Sequence, residues 1–208
     1  FVLSAGSAGA ADPGGAEVLF LPRGVGVAGT QNAMQVPEQI NHDAVTGETQ
    51  ALAVDLGGNV LDARVTVSNL VADERGRGGE QGLWQAFDSA GRKLVGGEGQ
   101  FNGGDPGFDD GVGEVLIAPG APFRYLVFTA LPYPDPFVPP DELLDRSDYL
   151  VRRITVAYED ASEPGQTFGN PVEAAAASAA DWAGAALYGF DHGTAFVDAT
   201  GRFLGAPI

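Results

Sequence analysis

The chain has 208 residues, enough to bury a sizeable core, and carries 28 acidic against 11 basic side chains for a net charge of −17. Such a charge repels phosphate backbones and anionic headgroups, which argues against nucleic acid and membrane-surface partners. Cysteine is absent, which removes disulfides, thiolate metal centres and cysteine nucleophiles together, and no apolar run approaches the roughly 18 residues that would span a bilayer.

The opening FVLSAGSAGAADPGG is rich in small residues and lacks a basic start, so residues 1–15 read as a flexible segment at a mature or truncated N-terminus. Thirty-one glycines and 14 prolines then punctuate short β-rich runs, a pattern of many strands joined by turns. Strands are predicted at 16–21, 50–56, 63–70, 82–88, 93–101, 113–117, 125–131 and 150–158. In 63–70, Ala63, Val65 and Val67 alternate with Arg64, Thr66 and Ser68, the period of a strand with one buried face. In 50–56, Ala51, Ala53 and Asp55 alternate with Leu52, Val54 and Leu56, and Gly57-Gly58-Asn59 follows. This predicts strand, turn, strand. Asp88-Ser89-Ala90-Gly91, between LWQAF and KLVGG, predicts a hairpin with glycine where positive φ is needed.

The segment 130–141 carries five prolines and cannot continue a central strand, so it reads as a stiff exposed loop. Beyond Glu163-Pro164-Gly165 the composition changes. Residues 172–187 are alanine-rich and follow Asn170-Pro171, with Glu173 near the start, which predicts a helix. FVDATGRFL near the end echoes the grammar of the 87–94 turn and predicts a short hairpin. The expected fold is therefore all-β, an antiparallel two-sheet, jelly-roll-like sandwich over 16–162, with an extension over 163–208 made of the helix and the hairpin.

Taken together, ALAVDLGGNVLDARVTVSNL, EQGLWQAFDSAGRKLVGG, FRYLVFTAL and SDYLVRRITVAYED resemble the β-sandwich ligand-binding, carbohydrate-binding-like modules of large bacterial calcium-dependent adhesins and exoproteins, over roughly residues 16 to 160. The resemblance implies a non-catalytic binding or adhesion module that is secreted, periplasmic or on the cell surface, stabilised by calcium, and recognising glycan or peptide through loops at one end. It also implies that the acidic loop after Ser68-Asn69-Leu70 meets Asp148 across the top of the sheet, and that Glu17 with Glu159 or Asp160 clamps a structural ion.

Calcium takes six to eight hard oxygens, best supplied where glycine lets the backbone curl around the ion. NGGDPGFDDGVGE at 102–114 has that composition, with Asn102, Asp105, Asp109, Asp110 and Glu114 as candidate ligands; the alternative is a solvated acidic loop. For ligand binding the candidates are Glu80, Trp84, Tyr133, Phe137, Asp148 and Tyr149, since flat rings stack on sugars or side chains while carboxylates accept hydrogen bonds. Either face of 82–88 could be core, and for Trp84 packing is the stronger reading. The two histidines, His42 and His192, adjoin no nucleophile motif, and no phosphate loop, dinucleotide fingerprint or HExxH occurs. A second reading is a structural accessory subunit of a larger extracytoplasmic assembly, such as a layer, filament or spike, with the alanine-rich helix docked on a neighbouring subunit.

Overall fold

The computed structural model describes residues 2–7, 15–16, 18–28, 38–42, 49–73, 79–132, 147–158, 166–169, 196–197 and 203–204. Among them the chain is all-β and antiparallel, with no helix. The strands are β1 (Val2–Ser7), β2 (Gly15–Ala16), β3 (Val18–Leu21), β4 (Gly24–Val27), β5 (Ile40–Asn41), β6 (Gln50–Ser68), β7 (Gln81–Phe87), β8 (Lys93–Asn102), β9 (Gly113–Ile117), β10 (Phe123–Leu131), β11 (Asp148–Tyr158), β12 (Gln166–Gly169), β13 (Phe196–Val197) and β14 (Phe203–Leu204).

One strand organises the rest. The turn expected at Gly57-Gly58-Asn59 does not reverse the chain, and residues 50–68 form the single strand β6. Its first half pairs with β1 on one edge and β10 on the other, and its second half pairs with β11 and β9. Residues 51–55 thus have partners on both sides and leave no edge on which 63–67 could fold back. The glycines only redirect the strand: Gly57 has φ of 79°, its N–H donates to Asp55 Oδ1 at 2.9 Å, and no heavy atom lies near the place of a Cβ.

Leu52, Val54 and Leu56 from the first half and Ala63, Val65 and Val67 from the second enter one core with Ile117, Leu126, Phe128, Ile154 and Val156. Fully burying each of the larger side chains contributes about 1.5–3 kcal/mol. The opposite face of the first half is also buried, because Ala51 and Ala53 join Phe87 and Val127 in a second cluster against which Tyr125 packs. Arg124, next to that cluster, makes a two-point contact with Asp55 at 2.9 Å.

The Asp88 hairpin forms as expected between β7 and β8. Asp88 Oδ1 accepts from the N–H groups of Ala90 and Arg92, and Gly91 has φ of 74°. β13 and β14 pair as the terminal hairpin.

Four strands lie where none was predicted or outside the expected domain limits, among them β5, which pairs with the start of β11. Val2–Ser7 is no loose lead-in, since it pairs along 50–55 and buries Leu3 in the core. β4 pairs with β3 and, at Val25, with Val151 of β11. β12 extends the main sheet past the expected limit at 162 by pairing with β11. The expected helix over 172–187 and the proline-rich loop residues 133–141 lie outside the described residues.

Candidate functional site

The loops that follow β6 and β8 and the start of β11 meet at one end of the strands around a cleft of about 660 Å³. It is lined by Arg23, Gln39, Asn69, Val71, Ala72, Asp73, Glu80, Asp110, Gly111 and Asp148. Its size lies in the range typical of small-ligand sites.

Glu80 builds the cleft. It is buried, with 3% exposure. Its carboxylate accepts from the backbone N–H of Val71 and, more weakly at 3.4 Å, from that of Asp148. Its own N–H donates to Val71 O at 2.9 Å, and its carbonyl accepts from Gly103 N at 3.0 Å. One side chain therefore ties the loop after β6 to the start of β11. The loop after β8 closes the same wall, with Leu70 N–H donating to Gly111 O at 3.0 Å. Gly103 stands so near Val71 O that a Cβ would come within 2.4 Å of it.

On the other side Arg23 Nη1 donates to Asn69 Oδ1 at 3.2 Å, Asn69 Nδ2 donates to Gln39 Oε1 at 3.0 Å, and Ser68 Oγ donates to Arg23 O at 2.6 Å. Gln39 sits on a segment pressed against β4, where a Cβ on Gly26 would fall 2.0 Å from Glu38 O. The three non-glycine residues with positive φ among those described are Glu38 (75°), Asn69 (66°) and Asp110 (48°). Two of them line the cleft and the third precedes Gln39. Left-handed backbone is costly for most side chains and collects at functional sites, although Asn and Asp adopt it more readily.

The other predicted site residues are more scattered. Asn102 and Asp105 close their own turn, since Asp105 Oδ2 accepts from Asn102 N at 2.8 Å and Asn102 Oδ1 accepts from Gly104 N at 2.7 Å. Asn102 Nδ2 also reaches Gly79 O. Asp109 and Val112 exchange backbone hydrogen bonds. Asp110 turns up on the cleft, while Glu114 sits on β9 and pairs with Arg64 at 3.0 Å. Among the described residues, no three acidic or histidine side chains gather as a metal-holding group.

Tyr149 is corrected from ligand platform to core, and Trp84 takes the packing role that the sequence favoured for it. Trp84 shares its strand face with Ala86 and enters the main cluster. Tyr149 is fully buried, donates its hydroxyl to Thr129 O at 3.0 Å, and meets Phe101 edge-on at 5.3 Å between centroids. Burial pushes its phenol well above the usual value. Strand alternation turns the Trp84 face inward, whereas Tyr149 lies in the stretch Ser147–Val151, which is buried on both faces at the paired start of β11. Tyr133, Phe137, Glu17, Glu159 and Asp160 lie outside the described residues.

Sequence reading missed Arg23, Gln39 and Asn69 as lining residues. The available signal was the SNL run, because Asn, after glycine, is among the residues that most readily take a left-handed turn; nothing local marked Gln39. The sequence matches no protein-family model and no curated protein.

Proposed function

We propose that the chain is a non-catalytic, extracytoplasmic binding module whose described strands pack as a two-sheet, jelly-roll-like sandwich, and that the cleft beside Asn69, Asp110 and Asp148 is its ligand site for peptide or glycan. The sandwich reading is supported by the separate partner sets of the two halves of β6 and by the single core to which both contribute. The binding reading is carried by one observation: a ligand-sized cleft at a strand end, built by the loops after β6 and β8 and the start of β11 around the buried Glu80 and lined by both polar and apolar surface. Sites for specific ligands combine such concavity with a few placed polar groups.

The non-catalytic reading is supported by how the obvious reactive groups are used. The His42 ring is bound to the Thr49 hydroxyl at 2.7 Å, and Ser147 is fully buried with its Oγ accepting from Gln81 N at 2.8 Å. An extracytoplasmic site accords with the absence of cysteine and the large negative charge.

Amide NMR of the full chain during addition of oligosaccharides and short peptides tests the proposal. Shifts concentrated at residues 69–73, 110–111 and 148 are expected. Shifts confined to the Asp88 turn, or none with any probe, would refute it.

A further inference from the structure

Apart from the cleft, we infer that β8 is a pairing edge through which two copies of the chain join in an antiparallel, two-fold dimer. β8 pairs with β7 along one side and stands last in the strand order. The bonds to β7 fix which of its backbone groups face away. Gln81 lies opposite Asn102, Leu83 opposite Gln100 and Gln85 opposite Glu98, and Gly103 N–H donates to Glu80 O at 3.0 Å. That bond makes 80 and 103 a hydrogen-bonded pair, so by the alternation of an antiparallel ladder 82 with 101 and 84 with 99 are hydrogen-bonded pairs too. The backbone N–H and C=O groups of Glu98, Gln100 and Asn102 therefore point away from β7. Asn102 agrees with this, since its N–H donates to Asp105 Oδ2 at 2.8 Å and its carbonyl accepts from Asp105 N at 2.9 Å. The outward backbone groups of Glu98 and Gln100 have no partner among the described residues.

The open stretch is closed at both ends. The Asp105 turn caps Asn102 on one side. On the other, Gln85 faces Glu98 while Phe87 faces Lys93, so residues 94–97 bulge opposite Ala86, and a bulge blocks an edge to pairing. What remains is Glu98-Gly99-Gln100. A second copy fits this window with the two-fold axis on Gly99. Glu98 of each copy then faces Gln100 of the other, and each pair exchanges both of its N–H···O bonds. Moving the axis to Gln100 would set Glu98 against the capped Asn102 and lose bonds. A contact that uses the same patch on both copies closes at two.

Charge selects a second copy as the occupant. The chain carries a net −17, yet residues 81–102 hold Asp88 and Glu98 against Arg92 and Lys93, and these are joined as Asp88–Arg92 and Lys93–Glu98 ion pairs at 2.7 and 2.9 Å. Two copies meet at this edge without opposing like charges. Across the pairing, the Gln100 carboxamide donates to the Glu98 carboxylate of the second copy. At the axis glycine faces glycine, which leaves room for the Trp84 ring, so close to Gly99 that a Cβ there would fall 2.7 Å from its Nε1.

Sedimentation velocity of the full chain from about 10 µM to about 1 mM reads the dimer, with a Kd on the order of 100 µM expected for so short a contact. Added salt should tighten it, because screening weakens the repulsion between two chains of −17. Gln100→Lys sets a cation against Glu98 of the second copy and should tighten the dimer about two- to ten-fold, whereas Gln100→Glu sets like charges there and should weaken it by as much. The Gln100 side chain is exposed, so both variants keep the thermal midpoint of the parent chain. Gln100→Pro removes an outward N–H that β7 does not use and should abolish pairing. A chain that stays monomeric at about 1 mM overturns the inference and leaves the edge to a strand of another protein. A dimer that ignores the charge changes joins through another surface, and growth beyond two copies contradicts closure; either result overturns the inference as well.

Discussion

Replacing Glu80 by alanine isolates the tie that makes the cleft. The substitution leaves the N–H groups of Val71 and Asp148 without the carboxylate that accepts from them. The Val71 bond is close and charge-assisted, a class that contributes about 1.5–3 kcal/mol. The Asp148 bond, at 3.4 Å, is long and adds at most about 1 kcal/mol. The expected loss is therefore about 2–4 kcal/mol, which lowers a urea midpoint by about 1–2 M at the slope of a domain this size. Glu80→Gln keeps one carbonyl oxygen for Val71 but gives up the charge and turns an amide NH2 toward the Asp148 N–H, so it should cost about 1–2 kcal/mol. Equilibrium urea unfolding of the three proteins, with equal slopes, measures both. A Glu80→Ala cost below about 1 kcal/mol, or equal costs for alanine and glutamine, would refute the assignment of Glu80 as the tie.

Acid should destabilise the protein through Asp55. Burial raises its carboxyl, but the Arg124 hydrogen bond, the Gly57 N–H and the Arg124 charge outweigh this and hold it below the ordinary 3.8. Because the folded value is the lower one, the stabilisation is complete above the unfolded value and is lost as pH falls through the folded value. Urea unfolding from about pH 5 downward should show that loss shrinking in Arg124→Gln, and an unchanged profile would contradict it. Asp88, held low by the Arg92 N–H and side chain, and Glu98, held low by Lys93 and Gln85, titrate in the same sense and are common to both proteins. Gly82→Ala should cost about 1–3 kcal/mol by overpacking, since its Cβ would fall 2.1 Å from the Phe101 ring, which is itself set against Tyr149. Thermal unfolding reads it, and an unchanged midpoint would mean that the ring yields freely.

The sequence by itself determined the β class, most strand positions and the Asp88 hairpin. These are local properties: alternation marks a half-buried strand, and an aspartate three residues before a glycine closes a turn through its own hydrogen bonds. It also marked the acidic loops that form one wall of the cleft. Only the tertiary structure decided that Gly57-Gly58-Asn59 bends a continuous β6, because whether a glycine run reverses or merely redirects depends on which distant strands occupy the edges, here β1 and β10. Trp84 went inward for a similar reason, since alternation says that faces differ but not which one meets the rest of the chain, and Tyr149 lies where β11 is buried on both faces. The cleft joins Arg23, Gln39, Asn69, Asp110 and Asp148, residues spread over more than a hundred positions that share no local pattern. Their meeting is a consequence of long-range strand pairing, and the buried carboxylate of Glu80 holds the loops where that pairing leaves them.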